Sequence, residues 1–331
     1  MSAKRVPTIL ARILSLSTIL ATLAFTLAAR DEDNLSDRFA REYPRALERL
    51  RTAYHHFRGS GTETIARQAK GKSWTTISVI RLTFNVSGDS IRIDKENVNG
   101  QYTVESANSK YAFRAQAPKK NGPLALKGLK ENGSSLLARS IDQFRRDYLL
   151  AAFSVRVPIG DFLFDPTLTT IGRVFTVKRE GRELVRVEYS RNYRFQGVPT
   201  KLNGWLILDP GNGWALVELS QSDEKGIHQL HTSIEYGSSN NGIPVPKEVL
   251  LQSNRERRLF SFEEISFEDT PDFAFSLSSI GLPEFEGSWK IFGMRWFWFF
   301  NLALALILLM IRLFFWAKSS RNENRDQSRQ S

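Results

Sequence analysis

Between residues 34 and 57, apolar side chains recur at three- and four-residue steps: Phe39, Tyr43, Leu47, Leu50 and Tyr54. That spacing draws one stripe along a helix and predicts a helix over Asn34–Phe57, with Ser36 as its cap and Asp37 near its start. Gly59-Ser60-Gly61 is expected to end it. The period then changes. Trp74–Phe84 is β-branched and aromatic with partial alternation, and similar stretches follow at Ser90–Asp94, Tyr102–Glu105 and Lys110–Gln116, so these read as strands. Gly88-Asp89 and Asn99-Gly100 mark turns between the earlier ones. A second amphipathic helix is predicted over Ser134–Phe153, where Leu136, Leu137, Ile141, Phe144, Tyr148 and Leu149 form the apolar stripe.

Strand patterns then resume at Val174–Arg179, Leu184–Tyr193, Leu202–Leu208, Trp214–Gln221, Ile227–Tyr236, Glu248–Ser253 and Arg258–Phe267. Glu180-Gly181-Arg182 and Asp209-Pro210-Gly211-Asn212-Gly213 carry the turn chemistry of hairpins, and Gly242-Ile243-Pro244-Val245-Pro246 reads as a rigid connection. No full-length helix separates consecutive strands, which disfavours parallel winding and predicts an antiparallel meander of α+β class.

Two apolar segments flank this domain. Lys4, Arg5 and Arg12 precede the apolar run Ile13–Leu27, and Thr26-Leu27-Ala28 offers a small-x-small cleavage site, so residues 1–29 read as a signal peptide or signal anchor. Near the other end, Trp296–Trp316 is almost continuously apolar. Its 21 residues span about 31 Å as a helix, the thickness of a bilayer's hydrocarbon core. Trp296, Trp298 and Trp316 sit where aromatic belts form, and Arg312 is close enough to the end to snorkel toward Lys318 and the headgroups. The expected organisation is therefore an extracytoplasmic domain over 30–289, a transmembrane helix with its flank over 290–317, and a basic cytoplasmic tail over 318–331. This is a single-pass cell-membrane topology with the domain on the periplasmic side.

Charge agrees with that topology. The chain's net charge is +11, but residues 1–12 hold three basic residues and no acid, and residues 290–331 hold seven against two. Most of the excess thus flanks the apolar runs, which argues against nucleic acid as a partner. Within the domain, residues 110–201 hold 18 basic and 8 acidic residues, whereas 202–289 hold 5 and 14. Pairing between neighbouring strands would account for that split, and so would a bipolar binding surface.

The chain has no cysteine, which excludes disulfides, thiolate nucleophiles and thiolate metal sites. His55 and His56, read as helix neighbours, diverge by about 100°, and His228 and His231 on a strand point to opposite faces. Neither pair suggests a metal site. No GxSxG elbow, Walker loop, GxGxxG or HExxH sequence occurs. No catalytic residue, metal or cofactor is expected, and a hydrolase would need a clustered set of polar residues in one cleft.

The element order resembles the bacterial lipoprotein-carrier superfamily, the LolA/LolB-type half-barrel that includes outer-membrane lipoprotein-sorting proteins. The resemblance rests on the N-terminal helix, the long meander interrupted by helices, and the late hairpin Leu202-Asn203-Gly204-Trp205-Leu206-Ile207-Leu208-Asp209-Pro210. Ile234-Glu235-Tyr236, Gly242-Ile243-Pro244-Val245-Pro246 and the end from Phe273 through Gly281-Leu282-Pro283 add to it. It implies an antiparallel half-barrel sheet wrapped around helices, with an apolar cavity that accepts lipid or lipoprotein acyl chains. Phe113, Phe144, Phe162, Phe164 and Trp205 are the candidate lining residues. An anchored module handling lipid in the envelope is the expected function. A structural or docking module that contacts another envelope protein stands beside it, and a co-purified lipid would separate the two.

Overall fold

A computed structural model of the chain describes residues 34–69, 73–131, 136–155, 157–195, 198–226, 229–284 and 310. The signal segment 1–29 and the span 296–316, with Trp296, Trp298, Arg312, Trp316 and Lys318, lie outside the described residues. Among the described residues no helix is long and apolar enough to cross a membrane.

Helix α1 covers residues 34–53. A first meander follows: β1 (His56–Gln68), β2 (Trp74–Ser87), β3 (Ser90–Asn97), β4 (Tyr102–Ala107), β5 (Tyr111–Ala117) and β6 (Ala125–Glu131). An insertion then holds α2 (Leu136–Phe144), a π-helical turn at Arg145–Leu149, the short hairpin β7 (Ser154–Val155) and β8 (Val157–Pro158), and α3 (Ile159–Leu163). A second meander completes the fold: β9 (Thr169–Arg179), β10 (Arg182–Phe195), β11 (Val198–Asp209), β12 (Ala215–Asp223), β13 (Gln229–Tyr236), β14 (Pro246–Ser253) and β15 (Glu256–Ser266).

Thirteen strands form one sheet in the order β6-β5-β4-β3-β2-β1-β15-β14-β13-β12-β11-β10-β9. Every pairing is antiparallel, as the meander pattern requires. The sheet is curved and unclosed, a half-barrel with β6 and β9 as its free edges. Its central seam pairs the first strand of the chain's domain, β1, with the last, β15. Each meander is built from local hairpins, and that single long-range pairing makes one sheet of the two.

The core lies on the sheet's inner face under the helices. Phe39, Tyr43, Leu50 and Tyr54 of α1 join Ile141, Phe144 and Tyr148 of the insertion in one cluster with Phe57, Phe84, Leu206, Trp214 and Phe260. Ring pairs knit it together, among them Phe39–Tyr43 at 5.2 Å, Tyr54–Phe57 at 5.4 Å and Phe260–Phe262 at 4.5 Å. At the β11–β12 turn, Asp209 Oδ1 accepts from the Asn212 amide at 3.1 Å. This turn delivers Trp214, at a φ of +62°, into the core beside Phe39 and Tyr43. Burial of the indole, whose Nε1 donates to Glu42 at 3.2 Å, offsets the strain of a left-handed tryptophan.

Several elements differ from the sequence expectation. The first helix stops at residue 53 rather than at Phe57, and His56–Gln68 is a strand. Gly59 and Gly61 sit inside that strand because its neighbours come too close for a side chain. A Cβ on Gly59 would lie 2.1 Å from the Glu264 carbonyl oxygen, and one on Gly61 would lie 2.5 Å from that of Ser261. The register shift at Ser60/Gly61 is a bulge that this close approach accommodates. β6 has no alternating apolar signature, so its sequence does not announce a strand. The expected helix Ser134–Phe153 divides: the Leu150 amide bonds back to Arg145 O at 2.9 Å, a five-residue step, and the chain leaves helical structure after it.

Candidate functional site

The π turn buries Asp147, Tyr148 and Leu149 consecutively against the inner face. Between this turn, α2 and the sheet lies a cavity of about 340 Å³. Phe144, Tyr148, Leu230 and Leu251 supply apolar wall, and the remaining lining is polar: Glu63, Lys95, Ser140, Gln143, Asp147, Gln252, Ser253, Glu256 and Arg258. It is not the wholly apolar chamber that the family resemblance implied. The reason lies in the strands. Alternation carries the inner face from Phe57, Gly59 and Gly61 to Glu63 and Arg67 along β1, and from Phe262 and Phe260 to Arg258 and Glu256 along β15. One end of the half-barrel interior is therefore apolar and the other is charged.

The charged end is closely paired. Glu63, 4% exposed, accepts a hydrogen bond from the Tyr148 hydroxyl at 3.1 Å and faces Arg258 at 3.7 Å. Arg258 also pairs with Glu256 at 2.5 Å, and Arg67 reaches Glu256 at 3.3 Å. On the other side Lys95 and Arg114 converge on Glu105 at 2.5 Å each, and the Lys95 ammonium lies 5.5 Å from the centre of the Phe144 ring. Gln143 donates to Asp147 at 3.3 Å.

These environments separate the carboxylates. Burial pushes the Glu63 carboxyl above its usual range, and Arg258, the Tyr148 hydroxyl and Lys95 oppose this without cancelling it. Burial acts the same way on Glu105, but Lys95 and Arg114 outweigh it and hold that group below its usual range. Glu256 is lowered as well, since hydrogen bonding and attraction from Arg258, with Arg67 behind them, exceed its desolvation. Burial first, and then the Glu63 charge, raises the Tyr148 phenol.

Of the five aromatic residues read as lining, Phe144 is at this cavity. Its ring lies 5.0 Å from Tyr148 and 5.8 Å from Phe260. Phe162 packs in α3 against Tyr189 at 5.6 Å beneath the Arg191 guanidinium. Phe164 stacks 6.0 Å from Phe39 under α1. Phe113 and Trp205 face away. Their neighbours Ala112 and Leu206 belong to the inner core, so alternation turns them to the outer face. There Phe113 is wholly buried beside Ser106, whose hydroxyl donates to Phe275 O in the C-terminal segment that covers this region. Trp205 borders a shallow outer trough of about 490 Å³ floored by Gly172, Ser190, Asn203 and Ser220, with the Arg186 guanidinium 4.6 Å from its ring centre.

The charged lining was missed because it is scattered over β1, β3, the π turn and β15, and no local motif joins those segments. The histidine reading also changes. His55 lies in the turn that ends α1 and His56 opens β1, which brings His55 Nδ1 within 2.7 Å of His56 Nε2. Ser87 Oγ and Asp269 both approach His56 Nδ1, at 3.1 and 3.3 Å. A hydrolytic triad needs serine and carboxylate on opposite ring nitrogens, so these three groups do not form one.

No family model matches the sequence, and no curated protein does. Among solved structures the chain is similar to a LolA superfamily protein from Nitrosomonas europaea. Identity is 10% and the TM-score 0.38, over 71% of this chain and 98% of that one. It is also similar to a DUF1329 family protein from Desulfovibrio piger, at 11% identity and a TM-score of 0.37, over 71% and 96% of the two chains. With likenesses of that strength, the half-barrel description rests on the strand order itself.

Proposed function

We propose that this chain is an exported, membrane-anchored binding module whose half-barrel holds the polar end of an amphiphile in the α2 cavity. The observation that carries this reading is the two-sided lining. Lys95 and Arg258, with Glu63, Asp147 and Glu256, offer both signs of charge, while Phe144, Leu230 and Leu251 offer an apolar wall. Such a set complements a zwitterionic head group: the cations address an anionic oxygen and the carboxylates an ammonium. About 340 Å³ is at the small end of ligand sites, the size of a head group with a short apolar stem. The basic-flanked apolar runs at 1–29 and 296–316 support a location where amphiphiles abound.

Native mass spectrometry of the gently extracted full chain tests this. The parent is expected to carry lipid-mass adducts. Arg258→Gln, and Ser140→Trp, which fills the rim without touching an ion pair, should each remove them while circular dichroism stays unchanged. Adducts that persist in both variants belong to the membrane anchor and would sink the reading, as would parent protein without any.

A further inference from the structure

The rim where β6 meets α2 combines two features that a soluble surface does not need together. Residues 110–139 hold seven basic residues and one acid, Glu131, and of the seven Arg114 and Lys120 pair with Glu105 and Glu96 on neighbouring strands. Lys119, Lys120, Lys127 and Lys130 are exposed there. Two leucines protrude among them: Leu126 on β6 is 42% exposed, and Leu136, opening α2, is 84% exposed. The two elements touch, for the Leu137 side chain lies 3.8 Å from the Cβ position of Gly128, and Leu126 follows two residues away along the same free edge, past the bulge at Lys127. Lysines alone have a simpler explanation, since β6 is a free sheet edge and charge there guards against pairing with other chains. That account leaves the leucines unexplained, because exposed apolar side chains invite the association that the lysines prevent.

We infer that this rim is an interfacial docking patch for an anionic lipid surface, with Leu126 and Leu136 entering the headgroup region inside a ring of lysines. Apolar tips surrounded by basic side chains are the combination by which peripheral elements bind anionic bilayers. The inference goes beyond the cavity's ligand and stands without it. The patch also borders the mouth of that cavity, since Ser140 and Gln143 of the same α2 helix line it.

The absence of cysteine makes a direct test available. The full chain, carrying Leu126→Cys labelled with the polarity-sensitive dye NBD, is held in nanodiscs of neutral phosphatidylcholine. Vesicles containing a lipid-phase quencher are then added. Vesicles with phosphatidylglycerol should shift NBD emission to the blue and quench it, and added salt should reverse both effects. Vesicles of phosphatidylcholine alone should do neither. Lys127→Gln and Lys130→Gln should each lower vesicle binding about fivefold, and Leu136→Ser about tenfold or more. A dye on Ser222→Cys, in the outer trough, should stay aqueous throughout. The proposal fails if the dye at 126 remains aqueous with anionic vesicles, responds equally to neutral ones, or is indifferent to both lysine changes. A response at 222 equal to that at 126 also overturns it.

Discussion

Gly59→Ala is the sharpest test of the central seam. In an ordinary strand the exchange would stabilise by about 0.5–1 kcal/mol, because alanine loses less backbone freedom on folding. Here the added methyl would sit 2.1 Å from Glu264 O and 2.7 Å from Phe84 Cζ. Ordinary contact begins near 3.4 Å, so β15 must retreat by about 1.3 Å. A shift of that size stretches one or two ladder hydrogen bonds past usefulness, at about 1 kcal/mol each. Crowding against Phe84 adds about 1–3 kcal/mol. After the propensity gain is subtracted, the expected loss is about 1–4.5 kcal/mol. Because β1–β15 is the pairing that unites the two meanders, the damaged seam should also broaden the transition. Urea unfolding followed by tryptophan fluorescence measures both effects. Gly128→Ala is the control: its methyl would meet nothing nearer than Leu137 at 3.8 Å, so it should be neutral or slightly stabilising. A Gly59→Ala protein as stable as its parent, or a Gly128→Ala protein equally damaged, would refute the close-approach reasoning.

Unfolding free energy measured across pH should separate Glu63 from Glu105. Glu63 is raised in the fold, so its contribution is complete below the ordinary value of 4.5 and declines as pH climbs through the folded value. Glu63→Gln should remove that decline. Glu105 is lowered, so its contribution is present above 4.5 and vanishes as pH falls through the folded value. Glu105→Gln should cost stability at neutral pH and converge with the parent in acid. Arg92 binds Asp94 at 2.8 and 3.0 Å and donates to Ala274 O at 3.1 Å. Arg92→Ala should therefore speed amide exchange at Leu277 and destabilise by about 1.5–3 kcal/mol, and unchanged exchange would show that the C-terminal segment around Phe275 stays in place without it. Protease added outside intact spheroplasts should digest residues 30–289 and spare the tail from 318, and a protected domain would reverse the topology.

Much of the strand content was legible because hairpins are local. The Asp209–Gly213 turn and the alternation of β10 through β15 announce themselves within a dozen residues. β1 was not legible, because its glycines look like a helix stop unless one knows that Glu264 and Ser261 will crowd them from some two hundred residues away. The helix expected over 134–153 looks continuous because its apolar stripe runs on through Leu149, whereas the π turn follows from packing Asp147, Tyr148 and Leu149 together against the sheet. At the site, Phe144 could be nominated from helix spacing. Phe113 and Trp205 could not be assigned to a face, since that depends on which strand face the helices cover. The histidine pair was misjudged for a related reason: a 100° divergence presumes a helix that has already ended.

The sequence by itself determined the class of this protein. Period-two patterning, turn chemistry and the lack of crossover helices require an antiparallel meander, and those signals act between near neighbours. The basic-flanked apolar runs set the expected topology in the same local way. Tertiary structure alone decided that β1 pairs with β15, where the interior turns from apolar to charged, and that Glu63, Lys95, Tyr148, Glu256 and Arg258 share one cavity. Those outcomes depend on contacts across up to two hundred residues, which cost loop-closure entropy that no local pattern records. Only the assembled sheet brings together the buried area and ion pairs that offset it.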